Sequence, residues 1–171
     1  MKAHVNIGSN LGNSRSLIER AVAGIALLCD DDCVKVSDII ESEPWGFESA
    51  NRFLNVGVEI ETHLDAEALL ARLIEVQDSI CNASHRDAEG GYADREIDVD
   101  LIFLGDLVMP GEGMWRRAAD GETGHSGVIV PHPRMHLRGF VLRPVAQLSP
   151  DWVHPVLRLT ASEMFRALNE S

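Results

Sequence analysis

The chain is poor in basic residues. It contains 15 lysines and arginines against 27 acids, which gives a formal net charge of −12 at pH 7. Proteins that bind nucleic acid through its backbone neutralise phosphates with Lys and Arg. The charge balance therefore argues against a general nucleic-acid binder, and we expect no nucleic acid among the partners. A small basic pocket within an acidic surface is still compatible with this composition.

Cysteines and long apolar runs are scarce as well. Cys29, Cys33 and Cys81 form no C-x-x-C pair, so they predict neither a disulfide framework nor a structural zinc site. No apolar run reaches the length of a membrane span, and the opening MKAHVNIGSNLG is too polar for a signal peptide. We therefore expect a cytoplasmic protein with no membrane partner.

What remains is the composition of an ordinary globular domain. Of the 171 residues, 45% are apolar and 25% are charged, so the chain is long and apolar enough to bury a sizeable core. No internal repeat and no linker divides the sequence. We expect a single domain over residues 1–171.

Apolar periodicity predicts alternating strands and helices. Strands are predicted at 3–8, 34–42, 53–62 and 95–103, with a short edge strand at 107–109, and helices at about 14–29, 65–80, 138–147 and from 160 onward. A capping residue at Asp65 and capping boxes at Ser16–Glu19 and Thr160–Glu163 indicate helix starts. Residues 110–127 are predicted to form a long loop.

The order βαββαβ is the ferredoxin-like arrangement. It predicts an α+β fold with a mostly antiparallel sheet that is flanked by helices in three layers, αβα. Many unrelated functions use this fold. The function must therefore be inferred from the residues of a site.

The predicted strand REIDVDLIF, residues 95–103, carries two acids on one face. Residues two apart in a strand point the same way, which groups Asp98, Asp100 and Ile102 against Ile97, Val99, Leu101 and Phe103. Two adjacent carboxylates repel each other unless a cation lies between them. Mg²⁺ takes carboxylate oxygens and shares its coordination shell with substrate phosphates. A divalent-metal site and a solvated acidic face are both open at this point.

Cationic and aromatic side chains accompany these acids. Arg95 could grip a phosphate with its planar fork or form a local ion pair. His132 lies between two prolines that stiffen its backbone, and Arg138 follows within VPHPRMHLRGF. Phe53 and Asn55 share one strand face, where an amide could read the edge of a flat heterocycle. The alternative, with Phe53 in the core and Asn55 as a surface polar residue, is also open.

In combination, these segments resemble the 6-hydroxymethyl-7,8-dihydropterin pyrophosphokinase family of folate biosynthesis. The resemblance rests on the opening IGSNLG, the loop ESEPWG followed by FLN, the strand REIDVDLI, and the segment VPHPRMHLRGFVLRP. It covers nearly the whole chain. It implies that the protein transfers a pyrophosphoryl group from ATP to the hydroxymethyl group of the pterin and releases AMP.

The resemblance also implies roles for individual residues. Asp98 and Asp100 would hold two Mg²⁺ ions that bridge the ATP phosphates. The implied catalytic residues are Arg95, Asp98, Asp100, His132 and Arg138. The residues implied to contact ATP are Arg95, His132, Arg138, Gln77, Tyr92 and Leu101. The residues implied to contact the pterin are Asn10, Ser42, Pro44, Trp45, Phe53, Asn55 and Phe140.

The chain departs from the family pattern after its second long helix. The family has a G-R-x-R element there, whereas this chain reads CNASHRD and retains only Arg86. Gln77 stands in place of a Glu and Tyr92 in place of a Trp, and the loop at 110–127 is longer than usual. Because such lid arginines follow phosphate charge in the transition state, we consider Arg86, Arg116 and Arg117 as replacements.

Three alternatives accompany this interpretation. The first is a non-catalytic ferredoxin-like module that binds a small ligand or a protein. The second is another Mg²⁺-dependent nucleotidyltransferase, which would release pyrophosphate rather than AMP. The third is a degenerate family member that binds ATP or pterin without efficient turnover. For the oligomeric state we expect a monomer or a weak dimer.

Overall fold

Five antiparallel strands form one sheet in the computed structural model, which describes residues 1–30, 33–44, 50–80, 96–122 and 124–170. The strands are β1 (Lys2–Ser9), β2 (Lys35–Val36), β3 (Ile40–Ser42), β4 (Phe53–Glu61) and β5 (Asp98–Leu104). Their order is β2–β4–β1–β5, and β3 also pairs with β4. The central strand β1 is therefore hydrogen-bonded to β4 on one side and to β5 on the other.

Helices cover both faces of this sheet. On one face α1 (Ser14–Ala26) and α2 (Ala66–Ile80) enclose a core that includes Val5, Ile25 and Leu69. On the other face α4 (Gly139–Leu148) and α5 (Ala161–Glu170) enclose a second core that includes Phe103 and Leu142. The predicted α+β fold with three layers is confirmed. None of the described helices combines the length and the apolar character that crossing a membrane requires.

A β-bulge in β5 changes which residues face each helix layer. Leu101 lies opposite Val5 and Phe103 lies opposite His4, so Ile102 is an extra residue in the pairing with β1. Ile102 and Phe103 consequently both belong to the core beneath α4 and α5. Strict alternation placed Phe103 with Leu101 on the opposite face. That prediction was wrong because alternation cannot detect an extra residue.

Residues 110–127, predicted to be a long loop, contain the helix α3 (Glu112–Ala119). Trp115 is the buried residue of this helix, with 1% of its surface exposed. Its indole N–H donates to the carbonyl oxygen of Pro131 at 2.7 Å. A helix of two turns with a single buried side chain shows no apolar repeat, so periodicity alone could not predict it.

A series of stacked and tilted rings runs through the core from β1 to α3. The successive centroid distances are 5.6 Å for His4–Phe103, 4.1 Å for Phe103–Trp152, 5.6 Å for Trp152–His154, 4.8 Å for His154–Trp115 and 6.0 Å for Trp115–His136. Offset and edge contacts of this kind add to the free energy of burial. The series connects α3 to the sheet.

Some helix and strand boundaries differ from the prediction. Helix α1 begins at Ser14, and Asn13 caps it by accepting from the Ser16 N–H at 3.2 Å, so the predicted Ser16–Glu19 capping box is wrong. The strand predicted at 34–42 is divided into β2 and β3. At 107–109 there is no strand, and Met109 forms an isolated bridge with Val130.

Two predicted helix caps are confirmed. Asp65 accepts from the Ala68 N–H at 2.8 Å at the start of α2. Thr160 and Glu163 bond reciprocally, with the Glu163 N–H donating to Thr160 Oγ1 at 3.1 Å and the Thr160 N–H donating to Glu163 Oε2 at 2.7 Å. Each cap satisfies backbone donors that lack partners within the helix.

Gly57 lies where β4 passes beneath α4. A Cβ at this position would lie 2.6 Å from Pro144 Cβ and 2.8 Å from His4 Nε2, so Gly57→Ala must displace one of these neighbours. We expect the substitution to lower the free energy of unfolding by about 1–3 kcal/mol, as overpacking does. Urea denaturation measures this change.

The matched control for this prediction is Gly113→Ala on α3. No atom lies within 4 Å of the added methyl group there, and alanine is favoured over glycine in a helix by up to about 1 kcal/mol. The control should therefore match or exceed the stability of the wild type. A Gly57→Ala variant with unchanged stability would contradict the close approach of α4 to β4.

Candidate active site

Asp98 and Asp100 project from the same face of β5. They lie opposite Gly8 and Asn6 of β1, and both are partly exposed, whereas Val99 between them is buried. The bulge follows both acids, so it does not change the face that they share. Their α-carbons are about 6.6 Å apart, the spacing of alternate residues in a strand.

The carboxylates on this face suit a hard divalent cation. Carboxylate oxygens are what Mg²⁺ prefers, and it usually takes one or two from the protein and the rest from water and phosphates. Within the part of the chain that the structure describes, no group of three or more His, Cys, Asp or Glu side chains is arranged to hold a metal. The described residues therefore offer a two-carboxylate site that leaves coordination positions for a substrate.

Gln77 supports the strand between the two acids. The backbone N–H of Val99 donates to Gln77 Oε1 at 2.8 Å, which ties β5 to α2. Among the described strands, β5 is at the edge of the sheet. Leu101, another residue expected to contact ATP, has its side chain buried in the core beneath α1 and α2. Any contact of Leu101 with a nucleotide would therefore involve its backbone.

Gly8 separates the acid-bearing strand from β4. It lies opposite Asp98 on one side and Asn55 on the other. Since neighbouring strands are about 4.8 Å apart, roughly 10 Å separates the backbones of Asp98 and Asn55. A Cβ at Gly8 would lie 3.2 Å from Asn55 Oδ1. Because Gly8 has no side chain, no side chain of β1 lies on the sheet directly between Asp98 and Asn55.

The pairing of β3 with β4 brings together residues predicted for the pterin pocket. Ser42 lies opposite Phe53, and Asn55 Nδ2 donates to Ser42 Oγ at 2.8 Å. Asn55 is 2% exposed and Phe53 is 9% exposed. Pro44 follows two residues after Ser42 and is partly exposed. Asn10, beyond the end of β1, is buried, and its side-chain Nδ2 donates to the backbone carbonyl of Asn51 at 3.5 Å.

His132 is oriented by two hydrogen bonds. Its backbone N–H donates to the carbonyl oxygen of Ile102 at 2.7 Å, and its Nδ1 accepts from the Arg134 N–H at 3.1 Å. Because Nδ1 accepts, the ring proton is assigned to Nε2. Desolvation and then the charge of Arg138 lower the pKa of His132 to about 3. The ring is therefore a neutral N–H donor at neutral pH.

Arg138 places a buried positive charge at the start of α4. It is 7% exposed, and its guanidinium carbon lies 5.9 Å from the centre of the Phe140 ring, a cation–π distance. Phe140 is partly buried against the core beneath α4. The segment 132–140 thus presents a neutral imidazole, a guanidinium and an aromatic ring.

Three predicted site residues, Trp45, Tyr92 and Arg95, lie outside the described residues, as does the candidate lid residue Arg86. The other candidates, Arg116 and Arg117, are on α3. Arg116 pairs with Glu112 at 2.7 Å, and Arg117 pairs with Glu122 at 2.7 Å. Both ion pairs are exposed, so these arginines are engaged on the surface of the molecule.

Asn6 is a residue of this face that the sequence interpretation missed. It lies opposite Asp100, is 4% exposed, and its Oδ1 has no hydrogen-bond partner among the described residues. Such a group is costly to bury, so an unpaired acceptor beside Asp100 calls for an explanation, and a bound ligand or water supplies one. The signal was available, because Asn6 is a polar residue on the face of β1 that also carries Gly8.

The stability of the protein should decrease as the pH falls below about 6.5. Desolvation is the main cause that lowers the pKa of His4 and of His154 to about 4, and that of His132 to about 3. In the unfolded chain histidine takes up a proton near pH 6.5. Between these values the unfolded state binds more protons, so each histidine should remove about 1.4 kcal/mol per pH unit.

Urea denaturation at pH 7, 6 and 5 measures this dependence. In His154→Asn the side-chain oxygen can accept from the Val156 and Leu157 N–H groups, as Nδ1 does at 3.2 Å. That variant should show a shallower slope than the wild type, because His154 no longer titrates while His4, His132 and His136, whose pKa values are also lowered, still do. A stability that does not change between pH 7 and pH 5 would contradict the burial of His4 and His154.

Several known proteins are similar to this chain. Residues 4–150 match the family model described as 7,8-dihydro-6-hydroxymethylpterin-pyrophosphokinase (HPPK). A 2-amino-4-hydroxy-6-hydroxymethyldihydropteridine pyrophosphokinase of Bacillus subtilis is 34% identical over 146 residues, which are 85% of this chain and 77% of the relative. A protein of the same name from Aquifex aeolicus is 27% identical over 160 residues, with 94% and 88% covered.

Solved structures also resemble this chain. The wild-type HPPK-DHPS crystal structure of Plasmodium falciparum superposes with a TM-score of 0.64 at 13% identity, covering 97% of this chain and 44% of the other. An HPPK-DHPS structure in complex with substrates gives a TM-score of 0.65 at 13% identity, covering 99% and 43%. The chain spans less than half the length of these proteins. At this identity the likeness shows a shared fold.

Proposed function

The chain belongs to the 7,8-dihydro-6-hydroxymethylpterin-pyrophosphokinase family, and we propose that the face of β1, β4 and β5 beside the segment 132–140 is its active site. The reaction is the transfer of a pyrophosphoryl group from ATP to the hydroxymethyl group of 6-hydroxymethyl-7,8-dihydropterin, with release of AMP, in folate synthesis. The observation that carries this assignment is the family match over residues 4–150. The paired acids Asp98 and Asp100 support its placement.

Asp98 and Asp100 would hold two Mg²⁺ ions in this proposal. Bound there, the ions would supply positive charge that stabilises the negative charge developing during transfer. The two carboxylates share one strand face and suit this role by their oxygen donors. Their mutual repulsion is relieved when cations lie beside them. The backbone between them is fixed from α2 by Gln77.

His132 and Arg138 bind the phosphates of ATP. The Nε2–H of His132 donates to a phosphate oxygen, and in the ligand-free protein desolvation and then the charge of Arg138 lower the pKa of His132 to about 3, so the ring is neutral before ATP binds. The guanidinium of Arg138 supplies a permanent charge with a planar fork that matches phosphate geometry. Transfer of this kind depends mainly on position and electrostatics, so no general base is assigned. Arg95 is expected to add a second phosphate contact.

The pterin binds over β4, across Gly8 from the acids. Phe53 and Phe140 provide the aromatic surfaces, and Asn55 provides an amide that Ser42 holds in place at 2.8 Å. Asn10, Pro44 and Trp45 are expected to border the pocket. The separation of roughly 10 Å between the backbones of Asn55 and Asp98 leaves space for the hydroxymethyl group to point toward the ATP phosphates.

The remaining expectations are that the protein acts as a single domain over 1–171, as a monomer or weak dimer, in the cytoplasm. Tyr92 and the backbone of Leu101 would contribute to the ATP site. The absence of the family's lid arginines makes Arg86 the first candidate to replace them. Turnover that is unchanged in Arg86→Ala would remove Arg86 from that role.

Product analysis tests the proposed function directly. The protein is incubated with ATP, Mg²⁺ and 6-hydroxymethyl-7,8-dihydropterin, and AMP is measured with and without the pterin. AMP that depends on the pterin, in equal amount to the pterin diphosphate formed, is the expected result. Release of pyrophosphate would instead indicate a nucleotidyltransferase, and ATP binding without AMP would indicate a binding module or a degenerate family member.

A further inference from the structure

The peptide unit that precedes His132 is hydrogen-bonded at both of its polar ends. Its carbonyl oxygen, on Pro131, accepts from Trp115 Nε1 at 2.7 Å, and its N–H, on His132, donates to the Ile102 carbonyl at 2.7 Å. A planar peptide held at both ends cannot rotate about its flanking bonds without breaking a hydrogen bond. The direction in which the His132 side chain leaves the backbone is therefore set by Trp115 and Ile102 together.

Trp115 is itself held firmly. It is 1% exposed, and its ring contacts His154 edge-on at 4.8 Å and His136 at 6.0 Å. The neighbouring hydrogen bonds between Met109 and Val130, at 2.9 and 3.3 Å, fix the chain just before Pro131. Helix α3 therefore presents the indole N–H from a rigid position, although its other side chains are mostly at the surface.

We propose that Trp115 is a positioning residue that orients the His132 imidazole toward ATP through the 131–132 peptide. This proposal rests on the proposed function for the role of His132 in binding ATP. Helix α3 thus supports the loop that carries His132, and it acts on the site without touching a substrate. The orientation of the ring itself, with Nδ1 accepting from the Arg134 N–H, can be observed without any ligand.

The chain contains a close control for this hydrogen bond. Trp152 also contacts His154, at 5.6 Å, and its Nε1 also donates to a backbone carbonyl, that of Gly105, at 2.9 Å. Gly105 lies in the turn after β5 and not in the loop of His132. Loss of either indole N–H removes the same kind of bond from the same ring series. Trp115→Phe and Trp152→Phe therefore differ in whether the 131–132 peptide loses its partner.

The test measures the His132 ring by ¹⁵N NMR in the ligand-free protein and KM for ATP with the pterin in excess. In Trp115→Phe we expect the His132 ring to populate both neutral tautomers instead of the Nε2–H tautomer alone. We also expect KM for ATP to rise roughly 3- to 10-fold, the equivalent of one net hydrogen bond. KM for the pterin should change less than KM for ATP. Trp152→Phe should leave all three quantities at wild-type values.

A second variant separates the loss of the hydrogen bond from the loss of packing that Trp115→Phe also causes. Incorporation of 3-benzothienylalanine at position 115 keeps the bicyclic shape and removes only the N–H, so it should reproduce both effects on a fully folded protein. His132 signals that match the wild type in this variant would overturn the proposal. If the His132 signals shift but no form of the protein produces AMP, the positioning role stands and the proposed function fails.

Discussion

Asp98→Asn should reduce pterin-dependent AMP formation by about 1,000-fold or more while the protein remains folded. The substitution keeps the size of the side chain and removes the negative charge that we propose holds a divalent cation. Loss of the several kcal/mol of transition-state stabilisation that such a cation supplies corresponds to three or more factors of ten in rate. Asp100→Asn should show a loss of similar size, because both carboxylates are on one face of β5.

The measurement is AMP release at saturating ATP and pterin over a range of Mg²⁺ concentrations. Asp106→Asn is the control, since Asp106 is an exposed acid in the turn that follows β5 and should not affect the rate. Urea denaturation should show that all three variants fold. Full activity in both Asp98→Asn and Asp100→Asn would mean that the pair is a solvated acidic face and that the metal site lies elsewhere.

Arg138→Ala should lower kcat/KM for ATP by about 100- to 1,000-fold, the usual loss when one preorganised donor to a developing charge is removed. Arg138→Lys should recover part of the loss, because lysine restores the charge without the planar fork. Arg143→Ala provides the control on the same helix, since Arg143 is exposed. Equal values of kcat/KM for Arg138→Ala and Arg143→Ala would remove Arg138 from the site.

The same variant has a second expected effect that is independent of catalysis. The charge of Arg138 lowers the pKa of His132, after the larger effect of burial. In Arg138→Ala the pKa of His132 should therefore rise, but it should stay below the ordinary value of about 6.5 because desolvation, the larger cause of the shift, remains. A ¹⁵N NMR titration of the His132 ring measures this, and an unchanged pKa would contradict the proximity of the two side chains.

In β5 the alternation of side chains predicts the face of some residues correctly and fails for others. Alternation predicted that Asp98 and Asp100 share a face, and the structure agrees because both precede the bulge. The same rule failed for Phe103, two residues after Leu101, because a bulge depends on pairing with β1 that no local pattern records. Sequence alternation thus predicts which face a residue lies on only where the pairing of β5 with β1 is regular.

Capping and periodicity show the same limit. Asp65 and the Thr160–Glu163 pair act as predicted, because each cap needs only residues of its own turn. At α1 the local signal was ambiguous, since Asn13 and Ser16 are both good capping residues, and Asn13 is the one used. Helix α3 was missed because a single tryptophan packed against distant residues stabilises it.

Part of the candidate site follows from sequence and part does not. The resemblance to a family named the residues Asp98, His132 and Arg138, but their support comes from contacts between distant segments. Gln77 is hydrogen-bonded to Val99, 22 positions away in the sequence, and Trp115 is hydrogen-bonded to Pro131, 16 positions away. Such contacts depend on how the layers pack, so they became visible only with the three-dimensional structure.

The bulge at Ile102 shifts by one residue the alternation that determines which side chains of β5 face each helix layer. Before Ile102 the acids of this face are the even-numbered Asp98 and Asp100, and after Ile102 the odd-numbered Phe103 packs in the core on that same face. The acids and the core residues of this face therefore occupy separate segments of a strand of 7 residues. Substitutions of the two acids replace none of the side chains that pack in the core beneath α4 and α5.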